Sequence, residues 1–231
     1  MLSVQIQKVR DEIHNSAIKY DKNPAEIQII AVTKTHSVSV IKEAIRHGLD
    51  FIAESKVQES EMKIPALLGL YKEFHFIGHL QSNKINKILA LKPSLIQSID
   101  KFSTAEKLNL TLKKMNLTQN ILIEVNTSGE INKNGVCPTK CSELIKQISE
   151  LEYIKIKCLM TIGSFSEDEN KISRCFKSLK ELFETEKALS RANVDMKYLS
   201  MGMSNDFQIA IKEGSNMLRL GSIFFGERIK R

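Results

Sequence analysis

In IIAVTKTHS, residues 29–37, four apolar residues run straight into Thr33 and Lys34. Such an unbroken, largely β-branched run is the pattern of a strand buried on both faces of a parallel sheet. Lys34 then falls at the strand's carboxyl end, where α/β folds bind their ligands. An amine held in a partly apolar pocket has its charged form disfavoured, which leaves neutral nitrogen to attack an aldehyde. Taken alone, Lys34 is better explained as the partner of Glu54 or Asp100.

Two later stretches narrow the chemistry. LSMGMSND (199–206) and RLGS (219–222) each offer small residues, hydroxyls and backbone N–H groups. Stretches of that composition, closing the last two strands of a barrel, are where phosphate is commonly cradled. On its own each is also an ordinary glycine turn. A lysine at the end of the first strand facing a phosphate cradle at the last two suits one ligand class, a phosphorylated aldehyde, and pyridoxal phosphate is the candidate.

The elements that must position these groups are legible as alternation. Ser37, the apolar spacing Val38, Ile41, Ala44, Ile45, and Gly48 mark a helix that begins, turns its face inward and stops. Ile6, Val9, Ile13 and Ala17 mark another, ahead of the first strand. Strand-like runs follow at IQIIAVTK, LDFIAES, EFHFIG, LIQSID, ILIEVN, IKIKCLMTIG, MKYLSMG and NMLRLGS. Eight such runs, roughly 20 to 40 residues apart with helical patterns between them, predict a single-domain (β/α)8 barrel with an extra N-terminal helix, spanning residues 1–231. An open doubly wound sheet is the alternative, but the first strand–helix turn lacks its GxGxxG fingerprint. In the barrel, Lys34, Glu54, Ser55, Gly78, His79, Asp100, Asn126, Thr161, Ser200, Arg219 and Ser222 all fall at strand ends and converge on one mouth.

Composition bounds the remaining classes. The chain has 231 residues, 42% of them hydrophobic, enough for a large core. No apolar stretch reaches about 18 residues and the N-terminus lacks the pattern of a signal peptide, so a soluble cytoplasmic protein and a monomer are expected. The four cysteines read as reduced thiols, and Cys137 with Cys141 is half a zinc site without its other half, so no metal is expected. The net charge of +7 favours anionic partners, but the basic residues are scattered; even KEFHFIGHLQSNKINK (72–87), the densest basic and aromatic segment, carries no nucleic-acid motif.

AVTKTH, ESKVQE (54–59), HFIGHLQSNK (75–84), SMGMSND (200–206) and RLGS with the FGER that follows resemble, in order and spacing, the signature stretches of the pyridoxal phosphate homeostasis proteins. These are single-domain barrels similar to the N-terminal domain of bacterial alanine racemase. The resemblance implies pyridoxal 5'-phosphate as cofactor and Lys34 as its Schiff-base lysine. By the same resemblance Ser200, Ser204, Gly221 and Ser222 bind the phosphate, Arg219 faces the pyridine nitrogen, and Met160 and Ser55 lie near the ring. Three departures stand out. Ala53-Glu54-Ser55 replaces the family's usual Gly-Glu-Asn, His79 stands where proline is usual, and Ser222 replaces a frequent threonine.

Arg219 bears on catalysis. An arginine donates to an unprotonated ring nitrogen and weakens the cofactor as an electron sink. A racemase needs a second base on the opposite face, and no second domain to supply it is expected beyond the eighth strand. The expected function is a non-catalytic carrier in intracellular pyridoxal phosphate homeostasis, with pyridoxal-phosphate-dependent apo-enzymes as partners and neither nucleic acid nor membrane. The alternatives are an amino-acid racemase that uses the same cofactor with His79 or another mouth residue as second base, and a nucleic-acid-binding protein.

Overall fold

The computed structural model describes residues 2–226. Met1 and residues 227–231, which include the Glu-Arg of the final sequence motif, lie outside the described residues. The chain opens with α1 (Leu2–Lys19) and then alternates strictly: β1 (Gln28–Val32), α2 (Val38–Arg46), β2 (Phe51–Glu54), α3 (Val57–Lys63), β3 (Glu73–Phe76), α4 (Ile85–Ala90) and β4 (Leu95–Ile99). The second half continues with α5 (Phe102–Met115), β5 (Gln119–Glu124), α6 (Pro138–Ser149), β6 (Ile154–Met160), α7 (Glu169–Ala188), β7 (Val194–Ser200), α8 (Phe207–Lys212), β8 (Met217–Leu220) and α9 (Ser222–Phe225).

Each of the eight apolar runs became a strand, and the strands pair in chain order into a closed parallel barrel. Closure is made by β1 against β8, in register from Gln28 with Met217 to Ala31 with Leu220. Parallel strands this short and this apolar must be covered on both sides, and they are: Ile30, Ala31, Ile52, Phe74, Ile96, Ile121 and Leu218 are all fully buried. The ladder is not uniform. Register slips between Ile96 and Ile99 where β4 meets β5, and between Ile156 and Cys158 where β6 meets β7. Such bulges re-aim side chains, and the first of them surrounds Gln97.

The extra N-terminal helix is present, and its four expected core residues, Ile6, Val9, Ile13 and Ala17, are buried. At about 1.5 to 3 kcal/mol for each large apolar side chain removed from water, that face holds α1 to the barrel. It packs on α8 and α9, and Gln5 Nε2 donates to Ile223 O at 2.8 Å. At α2 one detail differs from expectation. Ser37 has the N-cap backbone geometry, but its hydroxyl pairs with Ser39 Oγ at 2.9 Å and makes no cap bond. The four cysteines are free thiols. Among the described residues no helix is long and apolar enough to cross a membrane.

Candidate functional site

The carboxyl ends of the strands all open on one side of the barrel, so residues distant in sequence meet there. The end of β1 is the most heavily restrained. Lys63 on α3 donates to Thr33 O at 3.1 Å, to Glu54 Oε1 at 3.0 Å and to Glu59 Oε2 at 2.7 Å. Glu59 Oε2 in turn accepts from Thr35 N at 2.7 Å, and Thr33 Oγ1 donates to Glu54 Oε1 at 2.7 Å. The backbone is therefore pinned on both sides of Lys34, with Thr35 held at φ 70°, a left-handed conformation unfavourable for a β-branched residue. Burial pushes the Glu54 carboxyl up, against the hydrogen bond from Thr33 and the charge of Lys63. At Glu59 burial acts in the same direction, but the Lys63 and Thr35 hydrogen bonds outweigh it and hold the carboxyl low.

The adjoining wall comes from the ends of β7 and β8. Gly202 follows β7 at φ +97°, and a Cβ there would stand 2.6 Å from Ala210 Cβ, so the turn that carries LSMGMSND over the barrel end requires glycine. That turn brings Ser204 onto the start of α9, where its Oγ accepts from Gly221 N at 3.3 Å and from Ile223 N at 3.2 Å. Gly78 is a second required glycine, since a Cβ would fall 1.9 Å from Ser55 O. Its close approach seats Ser55 at the rim.

A single cavity of about 710 Å³ joins these walls. Lys34 and Ser55 line it from the ends of β1 and β2, Met160 from the end of β6, and Ser204, Arg219, Gly221 and Ser222 from β7, β8 and the turns that follow them. Ser200, placed with the phosphate set by resemblance, is the exception. It is fully buried, its hydroxyl donates to Gln97 Oε1 at 2.8 Å and accepts from Arg219 Nη1 at 2.7 Å, and it does not line the cavity. The mouth is also narrower than the strand ends suggest. His79 is exposed and apart from the cavity, and Asn126 instead builds the loop after β5, donating to Glu130 O at 2.9 Å. Asp100 accepts from Gly135 N at 3.3 Å and also lies off the cavity.

Arg219 is almost fully buried, with Nη2 donating to Thr161 O at 2.7 Å. Burial pulls its guanidinium down to about 10, while Asp206 and Glu124 pull it back up, so it is a cation at neutral pH. Glu124 is itself pushed up to about 7, first by burial and then by Asp100, against Arg219.

Among the lining residues not singled out from sequence, three bear on the chemistry. His36 stacks at a tilt on Phe225, centroids 4.7 Å apart, and its imidazole is pulled down by burial and by Lys63. Asp206 accepts from Met203 N at 2.5 Å, and burial pushes its carboxyl up. Both sit inside stretches already marked by motif. Ser164 had no such signal; its Oγ is buried, lines the cavity and finds no hydrogen-bond partner among the described residues. A hydroxyl in that condition is stabilised by an acceptor brought in from outside. The arrangement as a whole offers one amine, one fixed cation and the hydroxyl-bearing residues Thr35, Ser55, Ser164, Ser166, Ser204 and Ser222 around a space of small-molecule size.

The family described as alanine racemase, N-terminal domain, matches residues 13–229. A pyridoxal phosphate homeostasis protein of Aquifex aeolicus is 37% identical over 97% of this chain and 97% of its own length. PipY of Synechococcus elongatus, solved with pyridoxal phosphate bound, is 26% identical, covers 98% of this chain and 100% of its own, and superposes with a TM-score of 0.81. The alanine racemase of Clostridium difficile shares the fold at 17% identity and a TM-score of 0.71, matching 94% of this chain but 56% of its own length.

Proposed function

We propose, for a chain that belongs to the pyridoxal phosphate homeostasis protein family, that it holds pyridoxal 5'-phosphate reversibly in the barrel mouth through an imine to Lys34 and catalyses no reaction of its own. The observation that carries this reading is the single cavity. It brings the Lys34 amine, a group able to form an imine with a carbonyl, into one space with the hydroxyl and backbone N–H groups of Ser204, Gly221 and Ser222. The residues fit the cofactor on a second count, since the buried Ser164 hydroxyl lacks an acceptor that a phosphorylated ligand provides.

When bound, the cofactor supplies a reactive aldehyde carbon and an electron-withdrawing ring. What this chain's residues do is hold and quieten it. The Lys63 and Glu59 contacts fix the backbone from which the Lys34 amine projects. Arg219, charged at neutral pH, has only protons to offer a ring nitrogen and so leaves that nitrogen unprotonated, which disfavours carbanion chemistry. A carrier of this kind keeps free aldehyde low and releases it to the amines of pyridoxal-phosphate-dependent apo-enzymes.

The test is borohydride reduction of the loaded protein followed by peptide mass spectrometry. The reduced adduct is expected on Lys34, and Lys34→Ala is expected to lose it with an unchanged circular dichroism spectrum. An adduct on another lysine with Lys34 unmodified overturns the assignment. Exchange of the α-proton of alanine in deuterated water, at rates on the order of 1 per second or faster, overturns the non-catalytic half.

A further inference from the structure

We infer that Gln97 and His75, neither of which lines the cavity, are positioning residues for Arg219, acting through a one-way chain of hydrogen bonds that crosses the interior of the barrel. Arg219 Nη1 donates to Ser200 Oγ at 2.7 Å, and Ser200 Oγ donates to Gln97 Oε1 at 2.8 Å. Gln97 Nε2 lies 2.9 Å from His75 Nδ1, and His75 Nε2 lies 2.9 Å from Glu73 Oε2. Glu73 begins β3, at the end of the barrel away from the mouth, and its side chain is 35% exposed, whereas His75, Gln97 and Ser200 are fully buried.

The two ends dictate the direction. A guanidinium has only protons to give and a carboxylate only lone pairs to receive, so each link between them must donate away from Arg219. The Glu73 carboxylate takes the His75 Nε2 proton, which fixes the tautomer and leaves Nδ1 as an acceptor. That acceptor takes an amide proton from Gln97 and so keeps the amide from flipping; the second amide proton reaches Met217 Sδ at 3.4 Å. Gln97 Oε1 is then turned to the Ser200 proton, and the hydroxyl presents a lone pair to Arg219. With the other His75 tautomer, Gln97 has to flip, and Ser200 then meets a donor on both sides. Gln97 joins this line from the middle of β4, within the register shift between Ile96 and Ile99. Together with Thr161 O, the chain leaves the guanidinium one orientation.

The inference rests on the proposed cofactor reading only in taking Arg219 as a cofactor contact; the positioning itself can be read without cofactor. In the cofactor-free protein labelled with ¹⁵N-arginine, the Nη protons of Arg219, assigned through Arg219→Lys, are expected to exchange slowly with water. Gln97→Leu and Ser200→Ala are each expected to speed that exchange about tenfold or more, the factor carried by one hydrogen bond to a charged group. Gln97→Glu, whose carboxyl still accepts from Ser200, is expected to keep exchange slow while melting below Gln97→Leu. A purely structural role predicts the opposite, with exchange following thermal stability. Should Gln97→Leu not fold, Ser200→Ala carries the test, since it removes a single hydroxyl. Unchanged Arg219 exchange in the folded variants overturns the inference. With cofactor added, the same variants are expected to release pyridoxal phosphate faster but to leave sulfate affinity unchanged; unaltered release overturns the functional part.

Discussion

Ser204 offers the sharpest separation of phosphate binding from everything else the mouth does. In the structure its Oγ accepts from Gly221 N and Ile223 N at 3.3 and 3.2 Å, both long, so their loss in Ser204→Ala costs stability near the low end of about 0.5 to 1.5 kcal/mol per bond. On the proposed reading the hydroxyl proton is directed at a dianionic phosphate in the loaded protein, and a hydrogen bond to a charged group carries about 1.5 to 3 kcal/mol. The variant should therefore weaken binding of pyridoxal phosphate by roughly tenfold to a hundredfold. Dissociation constants read from imine absorbance, measured for pyridoxal phosphate and for pyridoxal with both proteins, form a closed cycle. The weakening should appear for pyridoxal phosphate and vanish for pyridoxal, with Lys34 modified in every case. Equal weakening for the two ligands would show that Ser204 acts only by holding α9 in place, and no weakening would put the phosphate elsewhere.

Other perturbations reach the surrounding charges. Glu124 has a carboxyl raised to about 7 in the folded protein from an ordinary 4.5, so its contribution is fully present below the lower value and is lost as pH rises through the higher. Glu124→Gln should remove that slope, and urea unfolding across this range should show wild type losing up to about 3 kcal/mol relative to the variant; parallel curves would refute the assignment. Lys63→Met leaves Glu54 buried without its cation and should cost about 3 to 5 kcal/mol in the same assay, with less Lys34 adduct because Thr33 O loses its restraint. A variant as stable as wild type would show that Glu54 is held protonated. Arg219→Glu, once shown by absorbance to retain cofactor, should gain α-proton exchange with amino acids over wild type, and an equally inert variant would remove Arg219 from the proposed account of a carrier that does not catalyse.

The barrel was legible because its signal is repeated. LIQSID and ILIEVN each lie over a strand, and the apolar runs buried on both faces could hardly be read otherwise. The mouth was legible where a single strand end meets a motif, as at Lys34 and Arg219. Ser200 shows where that reasoning stops. It and Ser204 are four positions apart in one motif, yet the left-handed turn at Gly202 sends Ser204 to α9 and leaves Ser200 facing inward on its strand. The polar line from Glu73 to Ser200 was invisible for a related reason. His75 and Gln97 sit inside apolar strands, and their partners lie across the barrel, where spacing along the chain gives no sign of contact. Ser164 belongs to an irregular loop, and its lack of a partner is a fact of packing alone.

The site draws on both extremes of the chain. β1 closes against β8, and Gln5 in the first helix supports Ile223 in the last, 218 positions away. A ribosome delivers Lys34 some 170 to 188 residues before Ser204, Arg219 and Ser222. Until β8 has been made, the lysine's loop exists without the strand that pairs beside it. On the proposed reading, capture of the cofactor therefore waits for the last strand, because the groups assigned to its phosphate are made long after the lysine.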